Sequence, residues 1–200
     1  MSIDALLEKL KHPNPNMRSR AMHEIADTRD ESTIPQLIQY LGEENTDFRR
    51  AVVKTLGVIG PDSVPFLVQK LHESTDTTEK ASCTKAMAQV AVNHPDEPFP
   101  QVGSDALEAG LKDSDPVVHI TAAMALGAIG APAKDILLKG LKEADNPAVA
   151  ISIVNALSSI RDESILGSLN EIANDESVDS YVKETAVSAI SRLEMMLGKR

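Results

Sequence analysis

Residues 115–130 read DPVVHITAAMALGAIG, and this stretch decides the fold because its pattern occurs six times along the 200-residue chain. In each copy an Asn or Asp is followed eleven residues later by a bulky apolar residue, with a small residue directly after it. The leading residues are Asn14, Asn45, Asp76, Asp115, Asn146 and Asp179, and the bulky ones are Ile25, Leu56, Met87, Leu126, Leu157 and Ile190. The copies recur at spacings of 31, 31, 39, 31 and 33 residues, a period typical of helical repeat proteins rather than of separate domains.

Each copy predicts the second helix of a two-helix repeat. The residues seven and four before the bulky residue and three after it fall on one face of a helix that turns about 100° per residue. The leading Asn or Asp is suited to cap that helix through its side-chain oxygen, and Pro15, Pro116 and Pro147 favour helix entry at the next position. A shorter apolar helix is predicted before each copy, over residues 3–10, 34–41, 64–71, 104–111, 133–141 and 165–172.

A mostly basic column follows the caps four residues later, at Arg18, Arg49, Lys80, His119 and Lys183, with Ala150 as the exception. The basic column and the Asn/Asp column together resemble the Asp/Arg ladder of HEAT repeats, in which stacked repeats interleave the two columns. The resemblance to HEAT repeats extends to NPNMR at 14–18, TLGVIG at 55–60 and ALGAIG at 125–130. The resemblance implies an all-α fold, an α-α superhelix of about six two-helix repeats in a single solenoid over residues 1–200. The repeats are predicted at 1–29, 30–60, 61–92, 103–130, 131–161 and 162–197, with a proline-rich inserted loop at 91–104.

Composition excludes several classes of protein. A net charge of -10 and a pI near 4.9 argue against nucleic-acid binding, which needs a basic face, although a local basic patch stays open. The lone Cys83 forms no internal disulfide. It stands four residues before the bulky residue Met87, on the apolar face of its helix, which predicts a buried small hydrophobe. The start lacks a leader pattern and no apolar run nears the roughly 20 residues of a membrane span, so we expect no transmembrane segment and a soluble, cytoplasmic protein.

The side of the second helices opposite the buried stripe is predicted to line a concave surface, as it does in HEAT arrays. In repeats one to three this side is mainly basic and polar, with Arg20, His23, Arg50, Lys54, Lys85 and Gln89. In repeats four to six it carries Ile120, Met124, Ile151, Asn155, Tyr181 and Arg192. This pattern predicts a groove with an apolar floor and a basic rim for an amphipathic partner or an anionic apolar ligand. The alternative is closure of the superhelix, or homodimerisation, over the apolar patch.

The inserted loop is the longest interruption of the repeat. Its three prolines are predicted to prevent regular helix over residues 91–104 and to stiffen the segment. Long loops on rigid scaffolds often carry recognition residues, which makes His94 and Phe99 candidates for binding. Alternatively, Phe99 closes one end of the local core.

Catalytic chemistry has little support in the residues. His23-Glu24 and His72-Glu73 resemble the His-Glu pairs of HEAT-repeat deoxyhypusine hydroxylases, which bind two irons. The chain has two such pairs rather than four, and they occupy non-equivalent places in their repeats. We therefore expect no metal site and no catalytic residue in this chain, and the motifs of zinc, nucleotide and acyl-transfer sites do not occur in it.

The short repeat unit also narrows the family. GPDSVP at 60–65 and LGAIGAPA at 126–133 resemble the HEAT-like repeats of phycobilisome lyases. In that family, E/F-type lyases attach bilins to phycobiliprotein cysteines, usually as two-chain complexes, and relatives remove bilins or act as chaperones. The resemblance implies a phycobiliprotein or a second HEAT-repeat chain as partner. It favours a non-catalytic scaffold or chaperone-like adaptor in the assembly or turnover of photosynthetic complexes, without a resident cofactor.

The alternative implied by the same resemblance is a subunit of an E/F-type lyase that attaches or removes a bilin. In that case the bilin is a ligand or substrate. The apolar floor of the groove would contact its rings, and Arg50, Lys54 or Lys85 would meet its propionates.

Overall fold

A computed structural model describes residues 3–199 and contains twelve α-helices and no strand over that range. The first helices of the six repeats are α1 Ile3–Leu10, α3 Thr33–Ile38, α5 Val64–Glu73, α7 Gln101–Gly110, α9 Lys134–Glu143 and α11 Ile165–Asn174. The second helices are α2 Pro15–Thr28, α4 Thr46–Ile59, α6 Thr77–Asn93, α8 Pro116–Ile129, α10 Pro147–Leu157 and α12 Ser180–Met196. The predicted all-α fold of six helix pairs is confirmed.

The Asn/Asp column caps all six second helices, as predicted. Each side-chain Oδ1 accepts a hydrogen bond from a backbone N–H two or three residues later, at 2.8 to 3.1 Å. These amides have no partner within the helix, so each cap typically stabilises its helix by about 1 kcal/mol. The repeat period of the sequence is therefore the period of helix starts.

Two glycines end second helices where the motif LGxIG occurs. Gly60 and Gly130 have φ of 95° and 80°, a conformation that costs a residue with a side chain about 1 to 2 kcal/mol. After each glycine the chain forms one turn of 3-10 helix, Pro61–Ser63 and Ala131–Ala133, and enters the next helix directly.

The helices pack in two compact units that divide within α7, after Ala106. In the N-terminal unit, α4 packs against α2 and α6, and the largest buried side chain is Phe48. In the C-terminal unit, α10 packs against α8, α9 and α12, and α11 packs against α12. Leu126, Ile153 and Leu169 are fully buried there. Both cores consist mainly of aliphatic side chains, as the 2% aromatic content predicts.

The basic column differs from the predicted ladder at the two arginines. Arg18 Nη1 donates to the carbonyl oxygens of His12 at 2.8 Å and Pro13 at 3.0 Å. Arg49 Nη1 donates to the carbonyl oxygen of Glu43. The arginines therefore bind the turn that joins the two helices of their own repeat, because its carbonyls have no helical partner and lie within reach. His119 is buried in α8.

The inserted loop is shorter than predicted. Helix α6 continues to Asn93 and α7 begins at Gln101, so the loop covers residues 94–100 rather than 91–104. All three prolines lie inside this shorter loop, and the last of them, Pro100, directly precedes α7, where its carbonyl accepts from Gly103 N at 2.9 Å. A proline at a helix start costs no hydrogen bond. Helix α6 has 17 residues against 14 in α4 and in α8, so the insertion has lengthened both this helix and the loop that follows it.

Cys83 is fully buried in α6, and burial raises the pKa of its thiol to about 12. Because the thiolate is the reactive form, we expect Cys83 to react with a thiol reagent at least roughly 100-fold more slowly than an exposed cysteine, until the fold opens. The matched comparison is Cys83→Ala with Met124→Cys, which moves the thiol to an exposed site. Stopped-flow labelling tests this, and equal rates for the two proteins would contradict the burial.

Glu79 forms a half-buried ion pair at the start of α6. Its carboxylate accepts from Lys70 Nζ at 2.7 Å and from Ser74 Oγ at 2.6 Å. These bonds, led by that of Lys70, hold the pKa of Glu79 below its ordinary value of 4.5 against the opposing effect of burial. Because the pKa is lowered in the folded state, the ion pair contributes its full stabilisation at a pH above the unfolded-state pKa. This stabilisation is lost as the pH falls through the folded-state pKa.

We therefore expect Glu79→Gln to lower the free energy of unfolding at pH 7 by about 1 kcal/mol. The deficit relative to the parent protein should shrink as the pH falls below 4.5. Urea unfolding of both proteins across the acid range measures this difference. Glu171→Gln, at an exposed position of α11, controls for the change in net charge. It should show little loss of stability at pH 7 or across the acid range.

Candidate functional site

The C-terminal unit contains a groove of about 990 Å³ between α8, α10 and α12. It is lined by Ile120, Met124, Gly127, Ala128, Ala148, Ile151, Ser152, Asn155, Ala156, Ser159 and Arg192. The repeat explains the arrangement, because Ile151 and Asn155 are the counterparts of Ile120 and Met124, 31 residues later. Residues four apart share one helix face, so each helix contributes a matching pair.

The groove exists because α8 and α10 are apolar on more than one face. Val118, Ala122 and Leu126 form the fully buried stripe of α8. On its other side, Ile120 and Met124 remain 41% and 62% exposed. A helix that is apolar on both sides normally meets protein on both sides, and over the described residues the outer side of α8 remains open to the groove.

Small residues form the floor of the groove. At Gly127 an added Cβ would lie 3.0 Å from Ser159 Oγ and 3.2 Å from the Cβ of Ala156. The close approach of α8 and α10 leaves an apolar surface between the larger side chains on either side. This is the shape that accepts a ridge of side chains from a partner helix.

Polar groups in the groove are few. Ser152 Oγ and Ser159 Oγ donate to backbone carbonyls of their own helix at 2.8 and 2.6 Å. Arg192 Nη2 donates to Asn155 Oδ1 at 2.7 Å and so bridges α12 and α10. Among the described residues that line the groove, Arg192 is the only charged one. An apolar ligand surface with one anionic group therefore complements it best.

Tyr181 lies outside this lining, contrary to its predicted place at the edge of the groove. It is 70% exposed in the first turn of α12, and its backbone N–H donates to the cap residue Asp179 at 2.9 Å. Arg192, three turns further along the same helix, is the residue of the sixth repeat that reaches the groove.

The predicted basic and polar residues of the N-terminal unit lie mostly at its surface. Arg20, His23, Arg50, Lys54 and Lys85 are exposed, and Gln89 is half-buried. An open depression of about 620 Å³ along α2 includes Arg20 and His23, but also Glu24 and Asp27. The charge along α2 is therefore mixed. Lys54 and Lys85 occupy equivalent positions of the neighbouring helices α4 and α6.

The two candidates of the inserted loop both make structural contacts. His94 Nδ1 lies 2.9 Å from Glu97 Oε1, and its Nε2 lies 3.2 Å from the carbonyl oxygen of Val58 in α4. Phe99 is half-buried. Its ring lies against Gly103, where an added Cβ would be 2.6 Å from both Phe99 Cε1 and Val64 Cγ1. These contacts favour the packing interpretation of Phe99 over recognition.

A further pocket, of about 320 Å³, was not predicted from the sequence. It lies beside Ala150, between the turn that precedes α10 and the turn that precedes α12. The signal for it was present, because Ala150 is the one residue of the basic column that has no polar side chain.

Within residues 3–199 no single helix is both long and apolar enough to cross a bilayer. The segments Thr46–Ile59 and Pro61–Glu73 reach that length and composition only together, as a pair bent by 117°.

Comparison with known proteins extends the resemblance seen in the sequence. A family model described as HEAT repeats matches residues 3–88 and 104–191. The chain is 50% identical over 198 residues to the uncharacterized phycocyanin operon protein Z of Pseudanabaena tenuis (strain PCC 7409), which covers 99% of this chain and 98% of that protein. It is 33% identical over 175 residues to the bilin biosynthesis protein CpeZ of Synechococcus sp. (strain WH8020), which covers 84% and 93% of the two chains.

A solved structure has the same architecture. An engineered protein superposes with a TM-score of 0.50 at 20% identity and covers 98% of each chain. This likeness shows the fold alone. The family match skips residues 89–103, which include the inserted loop, and so supports the interpretation of that segment as an insertion into the repeat.

Proposed function

Because the chain belongs to the HEAT-repeat family, we propose that it is a non-catalytic adaptor, scaffold-like or chaperone-like, that holds a phycobiliprotein chain in the groove of the C-terminal unit. The relatives supply the setting, since one is named for a phycocyanin operon and another for bilin biosynthesis. We place this protein accordingly in the assembly or turnover of the phycobilisome. The groove is the single observation that carries the mode of binding.

The physical case rests on exposed apolar surface. Met124 and Ile120 together present a continuous apolar ridge to water beside a groove of about 990 Å³. Burying such side chains contributes about 25 cal/mol per Å², so a partner that covers them gains several kcal/mol. An amphipathic helix suits the site, because its apolar residues at intervals of three and four would enter the groove. An acidic group at its edge would meet Arg192.

The experiment is a binding titration with defined partners. The purified protein is mixed with purified phycobiliprotein subunits, with and without chromophore, and complex formation is measured by sedimentation velocity. We expect a one-to-one complex with a Kd in the micromolar range, as is typical of adaptors. Failure of all subunits to bind at tens of micromolar would contradict the proposal. A homodimer in which a second copy fills the groove would contradict it as well.

A second candidate function is supported by the 33% identity to a protein named for bilin biosynthesis. In this function the groove binds a bilin as one subunit of a lyase. Ile120, Met124 and Ile151 would contact the rings, and the size of the groove falls in the range of small-molecule sites. Arg192 is the cation that lies in the groove and would meet a propionate.

Absorbance spectroscopy separates the two functions. Under the adaptor proposal, a free bilin such as biliverdin keeps its spectrum when mixed with this protein alone. A band shift that Arg192→Gln reduces would support the lyase-subunit function instead. Lys85→Glu, at the exposed cation of α6, tests the assignment of the propionates to the basic residues of the N-terminal unit. The absence of any shift with this chain, with or without a second HEAT-repeat chain, would remove the lyase function.

A further inference from the structure

The pocket beside Ala150 lies where the basic column of the repeats is interrupted. Its walls are the turn before α10, with Ala144, Asp145 and Asn146, and the turn before α12, with Val178 and Asp179. Its volume of about 320 Å³ is sufficient for a long side chain. Both turns belong to the C-terminal unit.

The first two repeats show how an arginine fills this position. Arg18 stands four residues after its cap and donates to carbonyl oxygens six and five residues before it, those of His12 and Pro13. Arg49 donates in the same way to the carbonyl oxygen of Glu43, six residues before it. Two independent repeats therefore place a guanidinium against the same turn carbonyls.

In the fifth repeat the equivalent carbonyls belong to Ala144 and Asp145, and the equivalent of the arginine is Ala150. A methyl group cannot donate a hydrogen bond, and it leaves the space of the missing side chain open as the pocket. The turn thus keeps the acceptors of a guanidinium site without the guanidinium. Acceptors of this kind gain most from a charged donor.

Charge and shape point to the same ligand. Asp145 and Asp179 contribute carboxylates to the wall, and none of the described residues that line the pocket carries a positive charge. Leu141, Ile172 and Val182 form an apolar wall that suits the methylene stem of a long side chain. A planar guanidinium with five donors matches several converging acceptors better than an ammonium does.

We propose that this pocket binds an arginine side chain of a protein partner, which takes the place that Arg18 and Arg49 occupy in their own repeats. The inference rests on the proposed function only for the source of the arginine, the phycobiliprotein chain. It assigns that partner an exposed arginine in addition to the apolar surface that enters the groove. The interaction fixes the register of the partner, because the pocket accepts one side chain at one place.

The experiment uses small probes and amide NMR spectra of the full chain. N-acetyl-arginine amide should shift the amide signals of residues 144–150 and 177–182 in a saturable way. The citrulline analogue has the same shape without the charge and should bind at least tenfold more weakly. The lysine analogue should bind about threefold more weakly than the arginine probe. Equal responses to the arginine and citrulline probes, or shifts confined to other residues, would overturn the proposal.

Two matched variants control for non-specific attraction to an acidic protein. Asp179→Asn keeps a good helix cap but removes a carboxylate from the pocket wall, and should weaken the arginine probe about threefold. Asp115→Asn makes the same change at the cap of α8, away from the pocket, and should leave the affinity unchanged. Equal weakening by both variants would count against a specific pocket.

Ala150→Arg supplies the missing side chain from within. It should abolish the probe-induced shifts and raise Tm by about 3 °C. A lower Tm with an unchanged titration would overturn the proposal, and if this variant fails to fold, the two aspartate variants decide. Because the probes need no partner, binding of the arginine probe without binding of a phycobiliprotein would refute only the proposed function. The reverse result would refute only this inference.

Discussion

Gly57→Ala is expected to lower the free energy of unfolding by about 3 kcal/mol, because α4 and α6 meet at this glycine without room for a methyl group. A Cβ on Gly57 would lie 2.3 Å from the Cβ of Gln89 and 3.1 Å from its carbonyl carbon. Neither atom is the flexible end of a side chain, so the clash is relieved only if the two helices separate. Urea unfolding followed by far-UV circular dichroism measures the loss.

Other glycines of the chain provide the controls. At Gly167 in α11 an added Cβ would meet nothing within 4 Å, so Gly167→Ala should stabilise the protein by about 0.5 to 1 kcal/mol through helix propensity. The effect of Gly127→Ala on the free energy of unfolding should lie between those of Gly57→Ala and Gly167→Ala, because the nearest atom to the added Cβ is the movable hydroxyl of Ser159 at 3.0 Å. Similar effects at Gly57 and Gly167 would show that packing does not control the result.

The helix starts were predictable because their causes are local. A cap such as Asn45 and its target amide at Phe48 lie within one turn of chain, so the residue types alone indicate where the second helices begin. Helix ends were less predictable. The first helix of repeat two was expected over 34–41 but ends at Ile38, where the chain continues in tighter turns with Tyr40 N bonded to Leu37 O at 3.1 Å. Such tightening depends on tertiary packing rather than on residue type.

The candidate site was predictable to the extent that helix periodicity determines it. The spacing of Ile120 and Met124, repeated by Ile151 and Asn155 one period later, places all four on one side of neighbouring helices. The partners of Arg18 and Arg49 were not predictable in this way. Their targets are turn carbonyls, whose directions are set by backbone geometry that the residue types do not encode. For the pocket beside Ala150 the residue types do show the missing polar side chain, but not the turn carbonyls that such a side chain would contact.

Met124→Glu is expected to weaken the binding of a phycobiliprotein chain at least tenfold, which corresponds to about 1.4 kcal/mol. Met124 is 62% exposed in the free protein, so the carboxylate is well hydrated there and Tm should change by less than about 2 °C. In the complex the same carboxylate would be transferred to an apolar groove and would lose its hydration. The cost therefore falls on the complex and not on the fold.

Met195→Glu is the matched control for this prediction. Met195 is 68% exposed in α12 and lies outside the lining of the groove, so the substitution makes the same change of charge and volume in the same unit. If binding depends on the groove, Met195→Glu should alter the Kd less than twofold in the same sedimentation titration. Equal weakening by both variants would assign the effect to net charge, whereas unchanged binding by Met124→Glu would place the partner elsewhere. Loss of binding confined to Met124→Glu, with both variants folded, requires that the partner covers this face of α8.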